Sequence, residues 1–236
     1  PKLKTHVQMT FTGALKNQYG LITGKRKAHY HYRLKTREWL AALIMDINRI
    51  AKPALAIMDG IVAMEGEGPS SGRPRKVGAL LAGSDLAAVD VMACELIGLN
   101  PETVPLNLAA RKSGFGATRV QDIEVLGADW KVLQVKDFAL VRELMNLLRV
   151  IPLPLPMLNW LGKKWAPEPL IIEDLCIRCG ICKKGCPVSP AAIDPFSDKR
   201  DKVDARRCIR CYCCHEFCPE KAIRLRRNFF HRLLDT

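Results

Sequence analysis

The sequence lacks several features that would place it in common functional classes. No apolar run reaches the roughly 18–20 residues of a membrane-spanning helix, and the most apolar stretch, residues 150–161, contains three prolines. Aromatic residues make up only 6% of the 236 residues, and no recognised nucleic-acid-binding module is present, which disfavours a nucleic-acid partner. No Ser–His–Asp order or nucleophile elbow occurs. With 48% hydrophobic and 26% charged residues, the chain is nevertheless globular in composition.

Cysteine is almost absent from the first 175 residues. Cys94 is the single exception, and the other nine cysteines lie between Cys176 and Cys218. A secreted disulfide scaffold spreads its cysteines through a short chain, so this distribution predicts two domains in a reducing compartment, the cytoplasm. Cys94 lies in an apolar segment, where we expect a buried small side chain. The first residue is Pro1 rather than Met, and we expect residues upstream of it.

The charge of the chain is strongly and unevenly positive. The formal net charge is +13, with nine Lys and Arg against one acidic residue in residues 1–40 and 16 against 10 in residues 163–236. The middle of the chain is close to neutral. A basic excess indicates an anionic partner, which can be a phosphate ligand, a nucleic acid, a membrane surface or an acidic protein.

Residues 1–149 alternate between helical and strand-like patterns. Apolar spacing predicts helices at residues 38–50, 85–97 and 137–149, and short apolar runs predict strands at residues 54–58, 77–82 and 123–127. This alternation is typical of an α/β domain. The proline-rich residues 150–169 are predicted to be a linker to a smaller second domain.

The second domain is marked by an internal repeat. The segment Cys176-Ile177-Arg178-Cys179 recurs 32 residues later, and each half follows the pattern C-x2-C-x2-C-x3-C-P. Such a run holds a pair of [4Fe–4S] clusters, each taking three cysteines from one loop and the fourth from the other half. The predicted ligands are Cys176, Cys179, Cys182 and Cys218 for cluster 1 and Cys208, Cys211, Cys214 and Cys186 for cluster 2.

Residues 170–225 resemble the two-cluster bacterial ferredoxins, which implies a small α+β domain with two [4Fe–4S] clusters. A zinc site or a set of disulfides is the alternative, but three cysteines on one tight loop exceed what a zinc hook requires. The segment between the two halves is longer than in the smallest ferredoxins. Cys213 is a ninth cysteine beside Cys214, and we expect it to pack near a cluster without binding it.

Four segments of the first domain carry a second resemblance. They are residues 2–6 (KLKTH), 15–20 (LKNQYG), 59–69 (DGIVAMEGEGP) and 82–85 (AGSD) with Asp90. Together they resemble the family known as domain of unknown function 362, many members of which also carry a ferredoxin-type module. This resemblance implies no settled reaction, and the family's fold normally includes chain ahead of the first motif.

The candidate catalytic residues of the first domain are Asp59, Glu65, Asp85, His6 and Lys4. Asp59 and Asp85 each follow an apolar run, so they are predicted at the carboxyl ends of strands, where open α/β sheets bind ligands. Glu65 precedes a glycine-rich loop, and His6 and Lys4 offer cations to an anionic small molecule. Asp85 is equally suited to cap a helix.

Further residues have weaker signals. Lys16 is another candidate cation, and Asp90 is a doubtful metal ligand because it lies five residues after Asp85, off the same helix face. His29 and His31 share a face only if their segment is extended, and we expect both to be exposed to solvent.

The tail, residues 226–236, is predicted to be a basic amphipathic segment. It is a candidate for peripheral contact with an anionic membrane, and packing against the protein is the alternative.

Three functions follow from these patterns. The first is an iron–sulfur protein that relays single electrons to a redox partner protein or to a site in the α/β domain. The second is an iron–sulfur oxidoreductase that acts on an anionic small molecule in that domain. The third and least favoured is a cluster-stabilised nucleic-acid binder.

Overall fold

The computed structural model describes residues 1–34, 36–141 and 166–226. The chain divides into two compact units. The first unit comprises Pro1–Thr23 and Leu34–Val141, and the second comprises Gly24–Arg33 and Arg142–Thr236. No helix in the described ranges combines the length and the hydropathy that a membrane crossing requires.

The first unit contains a four-stranded mixed sheet. Its strands are β1 (Lys2–His6), β2 (Thr10–Thr12), β3 (Ala56–Glu65) and β4 (Arg73–Gly83), in the order β2-β1-β3-β4. The central pair β1 and β3 is parallel, and the two outer pairs are antiparallel. The α/β character predicted for the front of the chain is therefore present, although the sheet is not a purely parallel one.

The described residues up to 141 form six α-helices, of which five belong to the first unit and the ten-residue helix α2 belongs to the second. They are α1 (Ala14–Asn17), α2 (Gly24–Arg33), α3 (Arg37–Ala51), α4 (Leu86–Leu96), α5 (Pro105–Lys112) and α6 (Trp130–Leu133). The helix predicted at residues 38–50 is confirmed as α3. It begins because the Thr36 hydroxyl accepts a hydrogen bond from the Trp39 amide, and it ends at Lys52, a left-handed residue before Pro53.

The core of the first unit lies between the sheet and helices α1, α3 and α4. Leu3, Phe11, Ile44 and Met58 are among its fully buried side chains. Burial alternates along most of β3, as expected for a strand with one face on the core. Cys94 lies fully buried in α4, as predicted. Its sulfur accepts a hydrogen bond from the side-chain amide nitrogen Nδ2 of Asn107 at 3.8 Å.

The sheet corrects the predicted end of the strand at residues 54–58. Asp59-Gly60 was expected to end a strand, yet β3 continues through it to Glu65. The register between β3 and β4 shifts between Gly60 and Val62, and a Cβ atom at Gly60 would lie 2.9 Å from the Ala79 carbonyl oxygen. The glycine therefore marks a close approach at a bulge rather than a turn.

Two further predictions fall in the second half of the first unit. Residues 123–127 form no strand and have no strand partner among the described residues, although their composition is apolar. Residues 137–141 are not helical, and residues 142–149 of that predicted helix lie outside the described residues. Short apolar runs of this kind need a neighbouring strand or packing surface to fix their conformation.

Besides α2, the described part of the second unit, residues 166–226, contains a small two-stranded sheet and two short α-helices. The sheet pairs β5 (Glu168–Ile171) with β6 (Ile223–Arg226), and the helices are α7 (Ile181–Lys184) and α8 (Cys213–Phe217). Of the predicted linker, residues 150–165 lie outside the described residues, and β5 begins at Glu168. Of the predicted tail, Arg226 ends β6 and residues 227–236 lie outside the described residues.

Candidate functional site

The cysteines of the repeat converge on one small core in the second unit. Cys182 and Cys214 are buried beside Ile171, Ile193 and Ile223. Cys176, Cys186 and Cys218 pack against the same core. All ten cysteines of the chain are free thiols, which contradicts the disulfide alternative.

The thiols group around Cys182 in the first half of the repeat. Burial raises the pKa of Cys182 to about 11, and the thiols that act on it electrostatically include Cys176, Cys179 and Cys218. Three of these four cysteines come from one tight loop, and the fourth comes from the second half. This is the membership predicted for cluster 1.

A second group forms around Cys208. Burial raises its pKa, and the thiols that act on it are Cys211 of the same half and Cys186 of the first half. Cys214 interacts in turn with Cys211 and Cys208, and also with Cys182 of the other group. The exchanged ligand sets stay a prediction, and this grouping supports them.

The backbone repeats its geometry along with the cysteines. Arg178 and Gly180 adopt left-handed φ values of 54° and 73°, and their counterparts 32 residues later, Arg210 and Tyr212, adopt 58° and 60°. Non-glycine residues rarely adopt this conformation, and it recurs where backbone N–H groups turn inward to form an anion-binding concavity. A cluster with four thiolate ligands is such an anion.

The fourth cysteine of each half receives a backbone hydrogen bond. The Ala192 amide donates to Cys186 Sγ at 3.4 Å, and the Ala222 amide donates to Cys218 Sγ at 3.2 Å. Such N–H···S bonds stabilise charge on a ligating sulfur and raise the reduction potential of a cluster. The donor set, the backbone and these bonds together fit [4Fe–4S] cluster binding.

Three of the predicted ligands are disfavoured as thiolates when no metal is bound. Burial raises the pKa of Cys182, Cys208 and Cys214, so the charged form is disfavoured in the protein alone. Cys211 is the exception, because the Cys213 thiol donates a hydrogen bond to it and lowers its pKa. Cys213 is itself buried, consistent with the expectation that it packs beside a ligand rather than acting as one.

Single-ion sites are not formed by the described residues. In residues 1–34, 36–141 and 166–226, no three His, Cys, Asp or Glu side chains are placed to hold one metal ion. In particular, Asp59, Glu65, Asp85 and Asp90 are not brought together in such a group.

Asp59 does not lie where the sequence placed it. It is in the middle of β3 rather than at its end, because the strand continues through the bulge. Its carboxylate pairs with Lys2 Nζ at 2.7 Å and accepts the Ile61 amide at 2.9 Å, and the Lys2 hydrogen bond lowers its pKa. Six residues of strand, about 20 Å, separate it from Glu65.

Glu65 is a buried structural carboxylate. It ends β3, with one oxygen 2.7 Å from Arg73 Nε across the hairpin and the other accepting the Ala139 amide at 2.9 Å. Both oxygens are therefore used inside the protein. The adjacent glycine-rich loop returns a second bond, from the Gly66 amide to the Ala139 carbonyl oxygen.

Asp85 and Asp90 both cap helices. Asp85 accepts the Ala87 and Ala88 amides at the start of α4 and the Ala117 amide at 2.6 Å. Asp90 is fully buried and accepts the Ala14 and Leu15 amides at 2.5 and 3.1 Å. Burial raises the pKa of Asp90 to about 7.

The predicted cations of the front segment are also engaged. His6 is buried, and its Nδ1 accepts the Gln8 and Met9 amides at 3.1 and 3.2 Å. Lys4 Nζ donates to the Pro69 carbonyl oxygen at 3.2 Å, and Lys16 Nζ lies 6.0 Å from the centre of the Tyr19 ring. Lys4 and His6 lie at the Glu65 end of the sheet.

His29 and His31 do not lie on an extended segment. Both belong to helix α2, so the extended segment on which they were considered to share a face is not present. His29 is exposed, as expected.

A cleft in the first unit contains residues that the sequence analysis missed. Its volume is about 570 Å³, and its lining includes Arg49, Lys52, Ser84, Asp85 and Gly116. Asp85 is the one predicted catalytic candidate that reaches it. The cations Arg49 and Lys52 come from the end of α3, and the Lys52-Pro53 helix stop was the sequence signal for their position.

Comparison with known proteins identifies both parts of the chain. Residues 1–95 match the family model described as Domain of unknown function (DUF362), and residues 168–219 match the 4Fe-4S dicluster domain. A thylakoid-associated protein of Synechocystis sp. is 36% identical over 155 residues, which is 61% of this chain and 48% of the relative. The chain thus spans about half the length of that relative. No solved structure matches.

The two parts of the chain are therefore similar to two different families. Residues 1–95 resemble the DUF362 family, and residues 168–219 resemble the 4Fe-4S dicluster domain.

Proposed function

We propose that this protein relays single electrons through two [4Fe–4S] clusters to a partner protein or to a site in its first unit. The observation that carries the proposal is the convergence of the repeat cysteines. Five of the eight share one small core, and the other three, Cys179, Cys208 and Cys211, interact electrostatically with members of it. When bound, such a cluster accepts or donates one electron at a time. The dicluster family match supports the same role.

The residues of the second unit perform three tasks in this proposal. The predicted ligands would bind the clusters, and Cys182 and Cys214, one from each predicted ligand set, share one buried core. The Ala192 and Ala222 amides stabilise charge on two of the sulfurs. The isoleucines of the core exclude water.

Iron and acid-labile sulfide analysis tests the proposal. The chain is purified without oxygen and reconstituted, and we expect close to eight irons and eight sulfides per chain, as two cubes require. A content well below eight irons after reconstitution contradicts the two-cluster relay.

A redox enzyme that acts on an anionic small molecule is the second candidate. The cleft at Arg49, Lys52 and Asp85 favours it, because two cations face a space of small-molecule size. Calorimetric titration with inorganic phosphate and with ATP tests this candidate on the intact chain. Binding that is lost in Lys52→Ala supports it, and no binding to the wild-type chain removes it.

The remaining predictions concern partners and location. A nucleic-acid role stays the least favoured, and a binding titration that shows no affinity at low salt would remove it. We propose a cytoplasmic location with contact to a membrane surface, and the thylakoid association of the relative supports the contact. Fractionation of cells tests both parts, since a salt-releasable membrane fraction is expected.

A further inference from the structure

The two halves of the cysteine repeat differ in what surrounds their ligands. The first half exposes several large apolar side chains beside Cys179, which is itself exposed. Ile177 is 64% exposed and Phe196 is 56% exposed. Single exposed apolar residues are ordinary, but a group of them on one loop marks a contact surface. We call this group, with its neighbouring cations, the Cys179 face: Leu175, Ile177, Arg178, Ile181, Lys184 and Phe196.

The corresponding positions of the second half are less exposed or carry a charge. The counterpart of Ile177 is Ile209, at 36% exposure, and the counterpart of Ile181 is Cys213, at 2%. The counterpart of Leu175 is the charged residue Arg207. Because the two halves share a sequence pattern and a backbone geometry, this difference is specific to the side chains. Cluster 1 is therefore the one with an apolar approach from solvent.

The basic side chains of the two halves also differ in exposure, and those of the first half are the more exposed. Arg210 is a mostly buried side chain that donates to Glu168 Oε1 at 2.5 Å and to the Pro167 carbonyl oxygen. Its counterpart Arg178 is exposed, and among the described residues it has no hydrogen-bond or ion-pair partner. Lys184 is also exposed, whereas its counterpart is Glu216. The Cys179 face thus presents available positive charge.

Phe196 is held in place on this face. A Cβ atom at Gly180 would lie 3.2 Å from the Phe196 ring, so the ring rests directly on the ligand loop. Lys183 Nζ lies 5.9 Å from the ring centre and pairs with Asp194 Oδ2 at 2.6 Å. A side chain that is exposed but fixed loses little entropy when a partner covers it.

We propose that the Cys179 face docks a small acidic electron-carrier protein, and that cluster 1 exchanges the electron with it. This inference rests on the proposed electron relay and adds the entry point and the class of partner. Apolar contacts at the centre supply the fit, and Arg178 and Lys184 at the rim select acidic carriers. In each exchange one electron leaves the carrier and one is gained by cluster 1, and no bond is made or broken.

The test is calorimetric titration of the reconstituted chain with oxidised plant-type [2Fe–2S] ferredoxin, a small acidic carrier, at low ionic strength. The double variant Arg178→Glu/Lys184→Glu is expected to bind roughly tenfold or more weakly than the wild type. The matched control is Lys221→Glu/Arg224→Glu, which changes the net charge equally at two exposed positions of the second half. Phe196→Ser is expected to weaken binding without changing its salt dependence.

Iron and sulfide are measured on every preparation first, so that a failure of the relay is distinguished from a failure of docking. With both clusters present, three results overturn the proposal. The first is equal binding by the wild type and the Arg178/Lys184 variant, and the second is equal weakening in the control. The third is a Phe196→Ser effect on self-association or on anionic-vesicle binding with none on ferredoxin binding.

Discussion

The two units of this protein use their polar side chains in opposite ways. In the first unit, carboxylates that the sequence offers as catalytic candidates are bound by the protein itself: Glu65 by Arg73 and a backbone amide, Asp85 by three amides. In the second unit, burial disfavours the charged form of thiols such as Cys182 and Cys214. These carboxylates of the first unit already have partners within the protein, whereas the buried thiols of the second unit would need an added cation to ionise.

The difference extends to how the units are stabilised. The first unit has a large apolar core that includes Leu3, Phe11, Ile44 and Met58. The core of the second unit consists of three isoleucines, one valine and cysteines. A core that small gives little stability by itself, and bound metal commonly supplies the remainder in such domains.

Removal of the clusters should therefore produce the largest effect on stability, and it should affect the second unit but not the first. Treatment with a chelator under oxidising conditions is expected to unfold residues 166–226 while leaving the sheet of the first unit intact. Hydrogen exchange followed by mass spectrometry measures this directly: peptides from β5 and β6 should lose protection, and peptides from β1 and β3 should keep it. Retained protection in β5 and β6 of iron-free protein would show that the second unit does not depend on metal.

The next largest effect tests whether the fourth cysteine of each half binds the cluster of the other half. Cys218→Ala is expected to remove about four of eight irons and to destroy cluster 1, although Cys218 belongs to the second half of the repeat. The matched control is Cys213→Ala, a neighbouring cysteine that donates to Cys211 and is expected to leave the iron content unchanged. If Cys213→Ala loses iron and Cys218→Ala does not, the ligand assignment is wrong.

Substitution of Glu65 tests whether the carboxylates of the first unit are structural. Glu65→Ala leaves the Ala139 amide without its acceptor and breaks the pair with Arg73, so the free energy of unfolding should fall by about 2–3 kcal/mol. Urea unfolding, monitored by hydrogen exchange in β3, measures the change in the free energy of unfolding. Glu124→Ala, at an exposed position, serves as the control and should cost less than about 0.5 kcal/mol. A Glu65→Ala chain as stable as the control would leave this carboxylate available for catalysis.

A smaller effect is expected from Asp90, through pH. Burial raises its pKa in the folded chain to about 7 from an ordinary 3.8, so the folded chain retains a proton that the unfolded chain releases. The contribution of this group to stability is therefore full below pH 4 and declines as the pH rises towards and through 7. Urea unfolding of the first unit between pH 5.5 and 8 should show this decline.

The variant Asp90→Asn isolates this contribution, because its amide oxygen can still accept a backbone hydrogen bond without ionising. Its stability should vary less with pH than that of the wild type. Identical pH profiles for the two chains would exclude Asp90 as their cause.

Sequence reasoning succeeded where a pattern depends on few partners. Helix α3 follows from its own apolar spacing and its stop at Pro53, and the cysteine repeat carries its ligands in a fixed local spacing. It failed for Asp59, because the apolar run stops there while the strand continues through a bulge. The close approach of Gly60 to the neighbouring Ala79, which the local sequence does not show, accompanies this bulge. The predicted strand at residues 123–127 failed for a similar reason, since no neighbouring strand is present among the described residues to pair with it.

The difference in side-chain exposure between the two halves of the cysteine repeat could not be predicted from the sequence either. Both halves contain the same Ile-Arg dipeptide, and the burial of Arg210 depends on Glu168, which is 42 residues away in the chain. Long-range contacts of this kind set which cluster faces solvent. The spacing of the cysteines carries no information about them.

Electron paramagnetic resonance of the anaerobically purified chain, reduced with dithionite, tests the central claim most directly. The account predicts signals from two reduced [4Fe–4S] clusters, broadened by magnetic interaction because the ligands of both lie around one core. In the Cys218→Ala variant a single cluster signal should remain, without the interaction. A silent spectrum from protein that contains zinc in place of iron would contradict the account.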